Sequence, residues 1–396
     1  MPPGKRVVPG GNGWLLWCVI LLLAGCAHNP LQVEALTEAQ TRQLLSGEVF
    51  LDTDTSARKI DQQIDTMSQE VLALDDDMRM FVDTFTAGAY TTETKLRHLL
   101  RAIFHSGMLG LEYDPLKTYT ATDTFYFQQG NCLSFTNMFV AMGREAGLKV
   151  WFNEVKIPPS WDMQSASTHV YYRHMNAVVQ TRRGKHIVDL NMENYDVDYP
   201  QRRVSDDYAL AQFFNNRAME LLFDNDWQGS FLNLRAAIEL EPDLAFLWGN
   251  LGSLYRRADQ FELAELAFRK ALETDPRNLM AMSNLGRLYR QYGQDHKAVE
   301  LEQRVVRHRN KNPYYQFHLA QQALNDRALE QALDHIHAAI RHYNKDHRFF
   351  FLAARINTAL GNAQVAQKHL QRAADLTRDE EQKQRYHHKL DALASR

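Results

Sequence analysis

Cys132 stands where a polar turn, Gln128-Gln129-Gly130-Asn131, gives way to an apolar-periodic run. Leu133, Phe135, Met138, Phe139 and Met142 mark residues 133 to 146 as a helix, with Asn131 suited to its N-cap and Gly147 to its stop. The thiol then sits in the first helical turn. There the free backbone N–H groups and the positive end of the helix dipole favour its anion, which is the nucleophilic form.

Such a nucleophile needs a base and a group to orient that base. Val170 to Val179 reads as a strand, Arg182-Arg183-Gly184 as a turn and His186 to Leu190 as a second strand. If the loop holds two residues, His174 faces Asp189 directly or one diagonal step away, within reach of a carboxylate. Cysteine, histidine and aspartate in that chain order form a triad for acyl transfer. His169 is the rival base, but it lies five residues before His174 and in a regular strand points to the opposite face. The expected oxyanion donor is the Cys132 backbone N–H, with the Gln128 side chain as a second candidate. Each residue also has an inert reading: a cysteine at a helix start is commonly a small apolar filler, and a strand histidine a satisfied core or edge residue.

Gly130-Asn131-Cys132 opening a helix, His174 on a strand and Val188-Asp189 on the next strand together resemble the transglutaminase-like core. This is a papain-like fold whose bacterial members include cysteine peptidases, amidases and acyltransferases. The resemblance covers roughly residues 90 to 200. It implies Cys132 as nucleophile, His174 as general base and Asp189 as the orienting carboxylate, acting on an amide of a protein or peptide substrate without a cofactor. Family members often carry Trp two residues after the histidine. Asn176 stands there in this chain, so the acceptor or substrate side of the cleft is expected to differ.

The elements around this triad follow from periodicity. Ile60, Ile64, Met67, Val71 and Leu74 step by three and four, so an amphipathic helix runs from about Ser56 to the acidic cluster Asp75-Asp76-Asp77. That cluster is either a solvated helix end or, less simply, a divalent-cation site. Lys95 to Phe104 reads as a helix, Gly107 to Phe127 as a loop with aromatic insertions, and Lys149 to Val155 as a strand broken by Pro158-Pro159. Trp151 and Trp161 are expected near the cleft, in core packing or in substrate contact.

The N-terminus reads as a leader. Lys5 and Arg6 precede a short apolar run from Trp14 to Leu23, and Leu23-Ala24-Gly25-Cys26 resembles the bacterial lipobox. The resemblance implies cleavage before Cys26, a lipid on Cys26 and, with no aspartate following it, an outer-membrane anchor on the periplasmic side. Of three cysteines, Cys18 would leave with the leader and Cys26 would carry lipid, so Cys132 remains as a lone thiol and no internal disulfide is expected. The formal charge of −3, falling to −5 without Lys5 and Arg6, gives no reason to expect a nucleic-acid partner.

Beyond about residue 205 the period changes. Ala264, Ala298, Ala332 and Ala366 recur at 34 residues with Ser230 in phase, and Ala237, Ala271, Val305, Ala339 and Ala373 recur in the same frame. Trp248, Leu251, Gly252, Tyr255, Ala264, Phe268, Ala271 and Pro276 resemble the tetratricopeptide pattern, in which small residues let paired helices approach. The resemblance implies a right-handed superhelix whose first helices line a groove for a partner protein. Asn250 and Asn284 occupy a position that often hydrogen-bonds a ligand backbone, and Arg256, Arg257, Arg287 and Arg290 fall on the same helices, where guanidiniums favour carboxylates. They can equally pair with neighbouring acids. Histidines such as His335, His337, His387 and His388 form no closed ligand set, so no metal is expected.

The predicted architecture is an α+β papain/transglutaminase-like domain followed by an all-α tetratricopeptide superhelix. The leader spans 1–25, a tether with some helix around Thr37 to Leu45 spans 26–55, the thiol domain 56–205, the repeats 206–380 and a capping helix 381–396. An amide-cleaving or transamidating enzyme is the first functional reading, with hydrolysis favoured. A catalytically idle adaptor recruiting partners through the repeats, or a lipoprotein bracing an assembly, are the alternatives.

Overall fold

A computed structural model describes residues 34–51, 57–157, 160–161, 169–170, 173–190 and 197–394. The leader, Cys26 and Pro158-Pro159 lie outside the described residues.

The helix expected around Thr37 to Leu45 within the tether is present, and it is docked on the repeats. Thr37 and Gln40 form a reciprocal capping box that starts α1 (Glu38–Ser46). Leu44 is fully buried, its carbonyl accepts a 2.8 Å hydrogen bond from the Tyr255 hydroxyl, and Phe50 packs on Phe231 and Tyr255. The apolar face of so short a helix is stable only against a partner, and the first repeats provide it.

Helix α2 (Ala57–Val71) follows its predicted stripe. The acidic cluster is not its end: Asp75 N-caps a further helix, α3 (Asp76–Thr86), accepting from the Met78 N–H, while Asp76 and Asp77 sit at the positive end of that dipole. The Tyr126 hydroxyl donates to Asp75. Helix α4 (Thr92–Phe104) leads to a stretch expected as loop, which instead contains β1 (Glu112–Tyr113), α5 (Ala121–Phe127) and β2 (Gln129–Gly130). Strands β1 and β2 pair in parallel immediately before α6 (Cys132–Glu145).

The central sheet has the order β7-β6-β3-β8, from β3 (Val150–Lys156), β6 (Arg173–Thr181), β7 (Gly184–Val188) and β8 (Gln201–Arg203), all antiparallel. A second pair joins β4 (Ser160–Trp161) and β5 (His169–Val170). Helix α6 lies against β6 and β3, and its Phe135, Met138, Phe139 and Met142 are wholly buried, Phe135 against Phe104 of α4. Gly147, at φ +74°, ends it as expected.

Val204 and Ser205 alone separate β8 from α7 (Asp206–Phe223), so the junction to the repeats is short and Ser205 caps it. Four more hairpins follow α7 and α8 (Trp227–Leu240): α9 (Ala245–Arg257) with α10 (Phe261–Thr274), α11 (Leu279–Gln291) with α12 (Asp295–Lys311), α13 (Pro313–Asn325) with α14 (Leu329–His342), and α15 (His347–Ala359) with α16 (Ala363–Leu376). Ser230, Ala264, Ala298, Ala332 and Ala366 are all fully buried, as close helix approach at a 34-residue period requires. Helix α17 (Glu380–Ala394) closes the array, seating Tyr386 on Phe351 and against His347.

One hydrophobic core joins the α+β unit to the first three hairpins, and separate cores fill the last two hairpins and α17. The break falls at α12, whose sequence is so charged that it buries only Ala298 and Leu301. The later hairpins are tied back by polar contacts. Asp198 accepts from Thr377 Oγ1 at 2.9 Å and from the Arg378 N–H, and Arg348 donates to the Tyr199 hydroxyl at 2.8 Å. The array therefore leaves the sheet at β8 and returns to the segment before it. Among the described residues, no helix is long and apolar enough to cross a membrane.

Candidate active site

The helix start that carries Cys132 is built by its neighbours. Asn131 accepts from the Leu133 and Ser134 N–H groups at 3.0 Å, and its own amide donates to Thr118 Oγ1 at 2.8 Å. A Cβ on Gly130 would lie 2.6 Å from Ser134 Cβ, so only glycine admits this approach of turn to helix. Cys132 is left half-buried in the first turn. Thr136 Oγ1 donates to the Cys132 carbonyl at 2.6 Å and lies 3.2 Å from the Met175 carbonyl, which ties the thiol-bearing turn to the strand that carries His174.

Strands β6 and β7 are joined by the two-residue loop Arg182-Arg183, with Thr181 opposite Gly184 and Ala177 opposite Val188. That register puts Asp189, just beyond β7, opposite Asn176 and one diagonal step from His174. His174 Nε2 and Asp189 Oδ2 are 2.6 Å apart and both side chains are buried. Cys132 acts electrostatically on His174 and favours its charged form. With Nε2 occupied by Asp189, Nδ1 is the ring nitrogen left for sulfur. Burial, the largest single influence on His174, disfavours its charged form. The hydrogen bond to Asp189 and the electrostatic influence of Asp189 and Cys132 together outweigh it and push the pKa up to about 10.

Asn176 does not face a substrate. It is fully buried, and its Nδ2 donates to Asp189 Oδ2 at 3.1 Å. Its Oδ1 accepts from Asn153 Nδ2 at 2.9 Å, and Asn153 in turn reaches Gln201 Oε1 at 3.2 Å. A row of amides thus crosses the sheet from β8 to Asp189. The sequence carried a sign of it, since strand alternation puts His174 and Asn176 on one face, but pairing with Asn153 and Gln201 depends on register.

Gln128 is not brought to the thiol. It ends α5 in the left-handed region at φ +53°, exposed, with its carbonyl accepting from the Glu112 N–H at 2.9 Å. Trp151 is half-buried, with Arg203 and Lys185 over its ring, away from Cys132's cleft. The backbone of His169 pairs with that of Trp161, and both side chains lie outside the described residues.

The thiol opens onto a cleft of about 520 Å³ that the repeats also line. Cys132 and Tyr113 form one wall, and Gln212, Asn216, Phe246 and Asn250 part of the other. Of the residues expected to bind a partner, only Asn250 lies here, and its Nδ2 donates to Asn215 Oδ1 at 2.6 Å. Asn284 is buried, accepting from Arg287 at 2.6 Å. Arg257 donates to the Leu222 carbonyl at 2.9 Å, and Arg290 is held by Asp295 and Glu302 at 2.8 to 3.1 Å. The expected row of four guanidiniums is therefore broken, because three of them find acceptors within the array. Arg256 and Arg287 lie near enough that, after burial, their mutual repulsion lowers the pKa of Arg256. Among the described residues, no three His, Cys, Asp or Glu side chains gather as a metal-binding group.

Residues 245–278 and 267–300 match two family models, each described as tetratricopeptide repeat. The C-terminal part of the chain is a tetratricopeptide-type helical array. Similar solved structures include a MamA fragment from Desulfovibrio magneticus RS-1, 16% identical over 42% of this chain and 94% of that one, with a TM-score of 0.24. YrrB, titled a TPR protein with an unusual peptide-binding site, is 22% identical over 43% of this chain and 87% of that one, with a TM-score of 0.24. The pilF protein of Pseudomonas aeruginosa is 15% identical over 48% and 87%, at 0.26. The assignment of repeats rests on the family matches and on the chain's own 34-residue register. A search of curated proteins finds no match.

Proposed function

We propose that this chain is a thiol-dependent enzyme acting on an amide bond of a polypeptide, with repeats that bind protein. The observation that carries the reading is the buried His174–Asp189 pair, whose imidazole is also favoured in its charged form by Cys132 at a helix start. A structural cysteine needs neither an imidazole nor a buried carboxylate behind it, and both cost desolvation. The α6 helix against an antiparallel sheet, with the thiol at its first turn, supports a transglutaminase-like or papain-like core.

In this reading the Cys132 thiolate attacks the amide carbonyl carbon, and the carbonyl electrons move to oxygen. Collapse of the tetrahedral adduct breaks the C–N bond, His174 gives its proton to the leaving amine, and a thioester remains. Water then attacks the thioester with His174 taking its proton, which returns the thiol and a free acid; an amine in place of water gives transamidation. Asp189 keeps the imidazole oriented and stabilises its charged form. The Cys132 N–H, first among the unpaired donors of the helix, faces the developing oxyanion. The leader's lipobox supports an outer-membrane lipoprotein with these domains in the periplasm.

The second reading, an adaptor with an idle thiol, is favoured by the family matches, which fall only in the repeats. Alkylation of Cys132 by iodoacetamide separates the two. The enzyme reading expects fast labelling near neutral pH, slowed at least tenfold by His174→Ala and less by Asp189→Asn. A labelling rate indifferent to His174 gives the adaptor reading the lead.

A further inference from the structure

We infer that the repeats form the substrate-binding wall of the thiol site, with Gln212 holding a backbone carbonyl of an extended polypeptide segment laid across Cys132. This inference rests on the enzyme reading proposed above and names the substrate's form.

Gln212 lies within α7, the first helix of the array, and lines the same cleft as Cys132. It is 3% exposed, and among the described residues its Nε2 has no hydrogen-bond partner. A buried amide donor left unpaired costs on the order of 1–3 kcal/mol, so its retention beside a nucleophile calls for a partner that arrives with the substrate. Asn216 is one turn further along the same face, half-buried and lining the same cleft. Four residues of helix rise about 6 Å, and two residues of extended chain span about 6.6 Å. Side-chain amides at positions 212 and 216 therefore match the spacing at which an extended peptide turns successive backbone groups to one side.

The rest of the lining fits the same ligand. Asn250 offers a further carboxamide, while Phe246 and Met280 offer apolar surface for side chains. The cleft is lined by one cation and one anion, Arg277 and Asp275, so their formal charges sum to zero, and the Arg277 backbone N–H donates to the Asp275 carboxylate at 3.0 Å. A wall of neutral amides with both donors and acceptors suits a peptide backbone and gives no preference for a free carboxylate. The repeats thus position the amide that the thiol attacks, and array and α+β unit act as one site.

The test compares two alkylating agents on the full chain: iodoacetamide, which needs only the thiol, and N-acetyl-tri-alanyl chloromethyl ketone, which also presents a peptide backbone. Gln212→Met keeps the side-chain length and removes the donor. It should lower the ratio of the peptidyl rate to the iodoacetamide rate by about 3- to 10-fold, the worth of one neutral hydrogen bond. Asn216→Ala, at a half-exposed position, should lower the ratio in the same direction and decides the matter if Gln212→Met does not fold. An unchanged ratio in folded variants, with His174-dependent labelling of the wild type intact, overturns this inference and leaves the thiol enzyme standing. Loss of the His174 dependence overturns both.

Discussion

Asn176 Nδ2 donates to the same Asp189 oxygen that His174 Nε2 reaches, at 3.1 Å and 2.6 Å respectively. The carboxylate is thereby fixed from two sides, and the imidazole inherits its orientation from an amide row anchored at the far edge of the sheet.

Replacing Asn176 by Ala should leave Asp189 short of a donor and Asn153 short of an acceptor, both buried. The expected cost is about 1–3 kcal/mol, read from urea denaturation. Cys132 alkylation should slow by several-fold, because the imidazole loses its fixed partner. A variant as stable and as reactive as the parent would show that the row has no positioning role.

His174 makes stability depend on pH in a stated direction. Its folded pKa, pushed up to about 10, exceeds the unfolded value of about 6.5. The folded state therefore binds the proton more tightly, and this contribution is fully present below about pH 6.5 and lost as pH rises through about 10. Histidine-labelled NMR titration should find the high midpoint in the wild type and a lower one in Cys132→Ser, which removes the sulfur that helps to raise it. A wild-type midpoint near 6.5 would refute the coupling.

Leu44 is fully buried under the first repeats, so Leu44→Ala should destabilise the fold by about 2–5 kcal/mol in denaturant melts. The same loss should not follow if residues 34–51 were a tether. A melt unchanged by the substitution would restore that view.

Gly130→Ala would push a Cβ to 2.6 Å from Ser134 Cβ, which sits on the first turn of α6. Relief requires the turn to move, at an expected cost of about 1–3 kcal/mol, and the thiol should shift with it. Alkylation of Cys132 should slow, whereas Gly286→Ala, whose Cβ would meet its nearest neighbour at an ordinary 3.6 Å, should leave the rate alone. Equal rates in all three proteins would detach the turn from the thiol.

The sequence by itself determined what is local or periodic. Asn131, Cys132 and the apolar spacing after them specify the start of α6, since capping and helix periodicity are properties of adjacent residues. The 34-residue recurrence from Ser230 to Ala366 specifies the repeats, because each unit buries the same small residues against its own partner helix. Even the reach of Asp189 to His174 was legible, as a two-residue loop fixes hairpin register.

Tertiary structure alone decided what depends on elements distant in the chain. The docking of α1 under Tyr255, the amide row from Gln201 to Asp189 and the turning away of Arg257 and Arg290 toward Leu222 and Glu302 all join residues whose partners carry no local signal. The same holds for Gln212, an ordinary helix residue by sequence, which becomes a buried donor with no partner among the described residues, lining the cleft of Cys132, only because α7 leaves the sheet after two linking residues. Hydrogen-bond satisfaction is a property of the whole packed molecule, so which polar groups are paired and which are left to a ligand could not be read along one dimension.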